Sequence, residues 1–286
     1  MRFCLRPNAV SADPAARIGY CLATGIEAVQ ESPSAVPGFT EGRQFDPKAL
    51  NAHVRQFTEA GIIVEAMGLG QITTDVVLGT PEGRADFDRA CHDLAALAEA
   101  DVKVVTLGIP ISEQPTEAEN QEQLKRVADY YSRLCAVAEE VGVKLATHSP
   151  WPPTQRKWLW GTRRFAELFA AAPSPANGYL YDNAIHHMVG DDPAAAVSQF
   201  AERIFFVHIR DVRKSAGAGA SGTGYDEVFP GTGGCDFTSV LSALRRVGYD
   251  GVLCPEHFPI IPGDTRETTA TAYAVGYLRG VIGSLS

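Results

Sequence analysis

The stretch EQLKRVADYYSRLCAVAEEVGVKLATH, residues 122–148, shows the pattern that decides the fold. Residues 122–141 are rich in Ala, Leu, Glu and Lys and are long enough for several turns, which predicts an amphipathic helix. Gly142 stands just past this helix, where a left-handed residue commonly ends one. Residues 143–148 are mostly apolar and too short for a helix, so they predict a strand buried on both faces of a parallel sheet.

The same alternation of short apolar runs and helix-like segments extends along the whole chain. Eight runs are predicted strands, at residues 1–7, 26–31, 62–67, 102–109, 143–148, 179–182, 204–209 and 251–255. Helices are predicted between them, with clear helical character at residues 50–60, 84–100, 122–141 and 239–247. Asp236 is the expected N-cap of the last of these helices, and Gly61 and Gly248 are expected at helix C-termini.

Eight strand–helix units in 286 residues amount to about 36 residues each, the usual spacing of a (β/α)8, or TIM, barrel. A doubly wound open sheet is the alternative α/β fold. It normally has a glycine-rich phosphate turn, G-x-G-x-x-G, after an early strand, and no early strand of this sequence is followed by one. We therefore predict an α/β protein with a single TIM barrel domain over residues 1–286.

The composition of the chain limits its partners and its location. The formal net charge is −9 and the pI about 5.3, which disfavours binding to nucleic acid or to an anionic membrane. No apolar run reaches the roughly 18 residues that a membrane span requires, and Arg6 and Pro7 interrupt the N-terminal run before it could act as a signal peptide. The six cysteines are scattered without a C-x-x-C pair, so we expect a reduced, cytoplasmic protein.

Polar residues close the last four predicted strands, at the end of the barrel where such folds place their chemistry. They are His148, Asp182, His208 and Glu256. Two imidazoles and two carboxylates form a donor set that suits Mn²⁺ well and Co²⁺, Fe²⁺, Zn²⁺ or Mg²⁺ less well. A single histidine after a strand is more often a packed residue than a ligand, but four such residues on adjacent strands predict a metal site.

Other residues near these strand ends are candidates for substrate binding. His186 follows the sixth strand, where it can reach the substrate or the metal, or cap the backbone of a loop. Trp151, in a Pro-rich loop after His148, can form an apolar wall for a sugar ring or pack on the barrel rim. Residues 215–223 form a small-residue loop after the seventh strand and are a candidate lid over the active face.

Several segments in the second half of the chain follow one another in a distinctive order. They are residues 148–153 (HSPWPP), 206–212 (FVHIRDV), 225–228 (YDEV), 231–237 (GTGGCDF), 248–252 (GYDGV) and 255–257 (PEH). Together they resemble the mannonate dehydratases, which are members of the xylose isomerase-like TIM barrel superfamily. Glu65 also stands where those enzymes have a Glu at the end of strand three. The resemblance implies a metal-dependent lyase that removes water from a sugar acid.

The resemblance also implies roles for individual residues. In such a lyase the metal binds the substrate carboxylate, a base removes the neighbouring hydrogen, and an acid protonates the departing hydroxyl. Arg210 is the expected partner of that carboxylate, because its guanidinium matches the geometry; the alternative is a salt bridge to Asp211 or Glu256. Tyr225 and His257 are the candidate acid and base.

Three positions place the chain between two groups of the superfamily. Mannonate dehydratases have a Cys ligand on strand six and an Asp ligand on strand eight, where this chain has Asp182 and Glu256. Both residues resemble the sugar epimerases, but epimerases have a Glu at the end of strand five, where this chain has His148. A sugar (phosphate) isomerase or 3-epimerase is therefore the alternative, with Glu256 and Glu65 as its two opposed catalytic carboxylates.

Two further interpretations belong to other functional classes. A DNA-repair endonuclease on this barrel needs three metal ions, more His and Glu ligands and a basic groove, which the acidic pI disfavours. A non-catalytic sugar-binding barrel would keep the pocket and bind no metal. The sequence thus predicts a small sugar or sugar acid as the partner, with no nucleic acid or membrane, and leaves open whether the chain forms a homo-oligomer.

Overall fold

A ring of parallel strands forms the centre of the computed structural model, which describes residues 1–39, 43–69, 75, 79–109, 116–149, 160–219, 222–264 and 266–285. The strands are β1 (Arg2–Leu5), β2 (Ala28–Glu31), β3 (Ile63–Gly68), β4 (Val104–Leu107), β5 (Lys144–Thr147), β6 (Asn177–Asp182), β7 (Ile204–Ile209), β8 (Asp211–Lys214), β9 (Tyr225–Val228) and β10 (Val252–Pro255). Strands β1 to β7 and β10 close into a barrel, because β1 pairs with both β2 and β10. The predicted (β/α)8 barrel is therefore confirmed, with all eight predicted strands in place.

Helices connect successive strands of the barrel. They are α1 (Pro14–Thr24), α2 (Pro47–Thr58), α3 (Pro81–Glu99), α4 (Glu117–Val141), α5 (Thr162–Ala171), α6 (Asn183–Val189), α7 (Pro193–Gln199), α8 (Phe237–Arg246) and α9 (Thr268–Ser284). Helices α1, α2 and α7 each begin with an Asp N-cap followed by Pro, a pair that bonds the first free backbone N–H groups and presets the helical φ. The predicted N-cap Asp236 is confirmed, since its carboxylate accepts a hydrogen bond from the backbone N–H of Ser239.

Two apolar layers hold the strands in place. Inside the barrel the layer consists mostly of small side chains, which suit a narrow interior: Cys4, Ala28, Ala66, Val104, Ala146, Leu180, Phe206, Val252 and Cys254. A larger core fills the space between the strands and the surrounding helices.

The segment after β7 adds a hairpin to the barrel. Strands β8 and β9 pair antiparallel, with Asp211 opposite Val228 and Lys214 opposite Tyr225. The candidate lid, residues 215–223, connects these two strands, and residues 220 and 221 of it lie outside the described residues. The hairpin therefore projects from the end of the barrel where β7 finishes.

Among the described residues, none of the helices is both long enough and apolar enough to cross a lipid bilayer.

Candidate metal centre

A pocket of about 490 Å³ opens at the carboxyl ends of the barrel strands. Its polar lining includes Gln30, Thr106, His148, His208, Arg210, Glu256 and His257. Its apolar lining includes Leu69, Leu107, Ile109 and Leu180. The described lining thus combines polar side chains from the ends of β2, β4, β5, β7 and β10 with apolar side chains.

Three of the four predicted ligands come together in this pocket. One donor atom each from His148, His208 and Glu256 can be chosen so that all lie within 4.8 Å of one another. Nε2 of His148 and Nδ1 of His208 are buried and make no hydrogen bond. Since buried polar atoms are nearly always paired, two unpaired imidazole nitrogens beside a carboxylate fit a bound cation.

The second nitrogen of each imidazole fixes which nitrogen bears the proton. Nδ1 of His148 lies 3.0 Å from the carbonyl oxygen of Ser149, and Nε2 of His208 lies 3.0 Å from Oε1 of Gln30. Because both oxygens only accept hydrogen bonds, these two nitrogens are the donors. In the neutral imidazole the opposite nitrogen then holds the lone pair, which is the form that binds metal ions.

Asp182, the fourth predicted ligand, lies beside this group and already has hydrogen bonds. It ends β6, and its Oδ1 caps α6 by accepting from the backbone N–H groups of Ala184 and Ile185 at 2.9 and 3.2 Å. Its Oδ2 lies 3.7 Å from Nε2 of His148, accepts a hydrogen bond from Nε of Arg210 and forms an ion pair with Nη2 of the same guanidinium. Burial opposes ionisation of this carboxyl, but the guanidinium holds its pKa well below the ordinary value.

Arg210 is buried, and its known contacts are to protein carboxylates. Nε and Nη2 lie 2.9 and 2.8 Å from Oδ2 of Asp182, and Nη1 lies 2.9 Å from Oε1 of Glu227. Glu256 lies 3.9 Å away. Burial alone lowers the pKa of Arg210, but the surrounding carboxylates raise it above the ordinary value. Arg210 therefore lies between three protein carboxylates. Its pairing with a substrate carboxylate stays a prediction.

His257 lies at the pocket next to Glu256. Its backbone φ of 56° is in the left-handed region, which non-glycine residues rarely adopt. Its Nε2 lies 3.3 Å from Oε1 of Glu256, and its Nδ1 lies 3.5 Å from Oε1 of Glu227. Burial lowers the pKa of His257, but the two glutamates raise it more, so that it lies above the ordinary imidazole value. The geometry thus gives His257 two carboxylate partners.

Glu227 is a site residue that the sequence reasoning missed. It lies on β9 two residues after Tyr225, and therefore on the same face of the strand. The hairpin register places Glu227 opposite Val212, close to the barrel, and Tyr225 opposite Lys214, two positions farther out. The motif YDEV was the available signal, but only the register decides which of its residues reaches Arg210 and His257.

Three predicted site residues are not brought to the described pocket, and a fourth lies outside the described residues. Tyr225 packs against the ring of His187. Glu65 lies in the first half of β3, near the amino ends of the strands, and pairs with Arg2 at 3.1 Å. The strand continues to Gly68, so its carboxyl end lies beyond Glu65. Trp151 falls in the segment 150–159, outside the described residues.

His186 is the third of these residues. It is fully buried between Tyr179, whose hydroxyl lies 2.7 Å from its Nε2, and Asp191, whose Oδ2 lies 3.1 Å from its Nδ1. Asp191 also accepts a hydrogen bond from the backbone N–H of Thr162. The network ties α6 to the start of α5, so these contacts make His186 a packing residue.

Asp211 explains the glycine-rich segment 231–237. Its buried carboxylate accepts hydrogen bonds from the backbone N–H groups of Val212, Gly231, Gly233 and Cys235. A Cβ atom on Gly233 would lie 2.3 Å from Oδ1 of Asp211, which leaves room only for glycine. Asp211 therefore holds the loop before α8. The salt bridge between Arg210 and Asp211, which the sequence offered as an alternative, is not among the ion pairs of the described residues.

Comparison with known proteins places the chain in a family. A model of the xylose isomerase-like TIM barrel family matches residues 13–279. Mannonate dehydratase 1 of Agrobacterium fabrum is 27% identical over 243 residues, which cover 72% of this chain and 60% of that relative. The chain thus spans well under the full length of this relative.

Solved structures show the same fold over nearly the whole chain. The mannonate dehydratase of Streptococcus suis serotype 2 superposes with a TM-score of 0.78 at 18% identity and covers 99% of this chain and 94% of its own. The IOLI protein, solved with a bound zinc atom, superposes with a TM-score of 0.75 at 20% identity and covers 100% and 99%. At these identities the likeness shows the fold alone.

Proposed function

The chain belongs to the xylose isomerase-like TIM barrel family, and within it we propose that this protein is a divalent-metal-dependent lyase that removes water from a sugar acid. The main support is the pair of buried imidazole nitrogens, on His148 and His208, that make no hydrogen bond and lie beside Glu256. The relatives named mannonate dehydratase support the choice of reaction and of a hexonate as substrate.

The charges around the pocket favour a divalent cation. With neutral imidazoles, the carboxylates of Asp182, Glu227 and Glu256 contribute −3 and Arg210 contributes +1, a sum of −2 before any ion is bound. Two imidazoles with one or two carboxylates form a borderline donor set, for which we propose Mn²⁺. When bound, such an ion polarises the substrate carboxylate and acidifies the hydrogen on the adjacent carbon.

His257 is the proposed proton-transfer residue. Apart from Arg210 and the proposed ligands, it is the only titratable side chain among the described residues of the pocket lining. Its imidazole accepts the proton from the carbon next to the carboxylate, and the electrons of that bond form a carbon–carbon double bond. The hydroxyl on the next carbon departs and takes the proton from the same imidazole, leaving as water. The resulting enol rearranges to a 2-keto-3-deoxy acid.

Glu227 assists this transfer by holding the ring of His257. Its Oε1 lies 3.5 Å from Nδ1 of the imidazole and also binds Arg210 at 2.9 Å, so its own position is fixed. A carboxylate at this distance stabilises the imidazolium that forms while the proton is held.

An aldose–ketose isomerase or 3-epimerase is the second candidate, supported by the epimerase-like residues Asp182 and Glu256. Moving a proton across one carbon commonly uses two opposed carboxylates. Glu256 is the only carboxylate in the described pocket lining, and Glu65 lies near the other end of the barrel. This arrangement favours the lyase.

All six cysteines are free, which fits the reducing cytoplasm that we propose as the location of the protein.

A substrate screen tests the proposed function. The purified chain, loaded with Mn²⁺, is incubated with hexonates including mannonate, with pentonates and with ketoses, and products are identified by NMR. We expect a 2-keto-3-deoxy acid from at least one sugar acid. Interconversion of ketose epimers without any keto-deoxy acid would establish the second candidate in its place. The His257→Gln variant serves as the control for contaminating activity.

A further inference from the structure

Gln30 binds the ring nitrogen of His208 that faces away from the proposed metal position. It lies on β2, is buried, and accepts a hydrogen bond from Nε2 of His208 through Oε1 at 3.0 Å. Its Nε2 donates to the hydroxyl of Thr106 on β4 at 3.3 Å. An amide has one accepting and one donating end, and in this orientation the oxygen of Gln30 faces His208 and also accepts from the thiol of Cys254 at 3.8 Å.

The backbone of β2 holds Gln30 firmly. The next residue, Glu31, points to the other side of the strand, where it forms buried ion pairs with Arg17 and His53. Arg17 also donates to the carbonyl oxygen of Gln30 at 3.3 Å. The backbone of Gln30 is therefore anchored from behind the strand, and its side-chain amide is held by Thr106.

Without Gln30, Glu256 would favour the wrong form of His208. Oε1 of Glu256 lies 3.1 Å from Nδ1 of His208, so the negative charge of this carboxylate favours a proton on Nδ1. That tautomer would remove the lone pair from Nδ1 and engage an oxygen of Glu256, which disables two proposed ligands at once. A hydrogen-bond acceptor at Nε2 counteracts it by holding the proton on the opposite nitrogen.

We propose that Gln30 is a positioning residue that fixes the tautomer of His208 and thereby sets the affinity of the pocket for a divalent cation. This inference rests on the metal site proposed above. An amide provides the acceptor without adding to the negative charge of the pocket.

Two substitutions at Gln30 separate the acceptor from the shape of the side chain. Gln30→Met has a similar volume and no acceptor, whereas Gln30→Glu keeps an acceptor facing Nε2. Asn177→Leu is the matched control, because Asn177 is also buried, bonds the carbonyl oxygen of Ala172, and lies at the start of β6, away from the pocket. Comparing its thermal unfolding with that of Gln30→Met corrects for a general loss of stability.

Two measurements are made on each protein. Mn²⁺ affinity is obtained by titration, with the EPR signal of free Mn²⁺ as the readout. The tautomer of His208 in the metal-free protein is obtained from ¹H–¹⁵N correlations of the imidazole ring. We expect Gln30→Met to bind Mn²⁺ about 10- to 100-fold more weakly and to lose the pure Nε2–H tautomer. Gln30→Glu restores both, and Asn177→Leu changes neither.

The outcomes against the inference are distinct from those against the proposed function. Wild-type Mn²⁺ affinity in Gln30→Met, or an unchanged His208 tautomer in that variant, would refute the role of Gln30 while leaving the metal site intact. A wild-type chain that shows the Nε2–H tautomer but takes up no Mn²⁺ would refute the metal site, and with it the second half of the inference.

Discussion

Nδ1 of His208 lies 3.1 Å from Oε1 of Glu256, yet this buried nitrogen makes no hydrogen bond. Nε2 of His148 is likewise buried and makes no hydrogen bond. We expect the chain to bind about one Mn²⁺, and His208→Ala or His148→Ala to lose most of it, because each removes a neutral nitrogen donor. Elemental analysis after loading and desalting measures this. His187→Ala, outside the pocket lining, is the matched control, and full metal content in His208→Ala would contradict the assignment.

Replacing His257 tests the proton-transfer step. His257→Gln should reduce kcat on the sugar acid by roughly 10²- to 10⁴-fold, the usual contribution of a general acid–base residue. Metal content should stay unchanged, since His257 is not a proposed ligand. Tyr225→Phe should retain nearly full kcat, because the ring of Tyr225 packs against His187 and does not line the described pocket. A large loss in Tyr225→Phe with none in His257→Gln would reverse the assignment.

Removing the charge of Arg210 should destabilise the metal-free protein. Arg210→Met leaves the buried carboxylate of Asp182 without its main counter-charge, and we expect the free energy of unfolding to fall by about 3–5 kcal/mol. Added Mn²⁺ should restore part of the lost free energy of unfolding, because the ion would place positive charge near the carboxylate of Asp182. Urea unfolding with and without Mn²⁺ measures both effects. Arg213→Met, an exposed neighbour on β8, should change stability by less than about 0.5 kcal/mol.

If Arg210 serves only to bind substrate, its removal would raise KM and leave unfolding unchanged, which is the result that counts against this prediction.

Asp191 should make a pH-dependent contribution to stability. The hydrogen bond from His186, together with that from Thr162, holds the pKa of its carboxyl below the ordinary value. A lowered pKa stabilises the fold above the unfolded pKa of about 3.9, and that stabilisation is lost as the pH falls toward the folded pKa. Asp191→Asn should therefore cost about 1 kcal/mol at pH 7 and less at pH 3, measured by urea unfolding.

Asp192→Asn is the control for this change, because Asn caps α7 as well as Asp does. An equal cost of Asp191→Asn at both pH values would show that charge is not involved.

The fold was predictable because parallel strands buried on both faces are almost continuously apolar, and all eight runs were visible as such. Because both faces of such a strand are buried, the sequence does not show which of its residues point into the barrel. On β2, Gln30 faces the pocket and Glu31 faces the helices, but both faces are buried, so polarity alone does not distinguish them. Glu65 was predicted at the carboxyl end of β3 because an apolar run does not show where a strand ends. The strand continues to Gly68, beyond Glu65.

The proximity of His148, His208 and Glu256 was predictable because the carboxyl ends of the strands converge in a closed barrel. Contacts that depend on tertiary register were not predictable. Tyr225 and Glu227 share one face of β9, and only the hairpin register selects Glu227. His186 follows β6 as a ligand would, but its partners Tyr179 and Asp191 turn it into the core.

The position of β10 between β1 and β7 has a consequence for how the protein matures. The three proposed donors emerge from the ribosome in chain order, and Glu256, the last, is fixed only when β10 inserts between the first strand and the seventh. A nascent chain that has not reached this point lacks the complete donor set. We therefore expect the proposed ion to bind late in biosynthesis, after the ring of strands has closed.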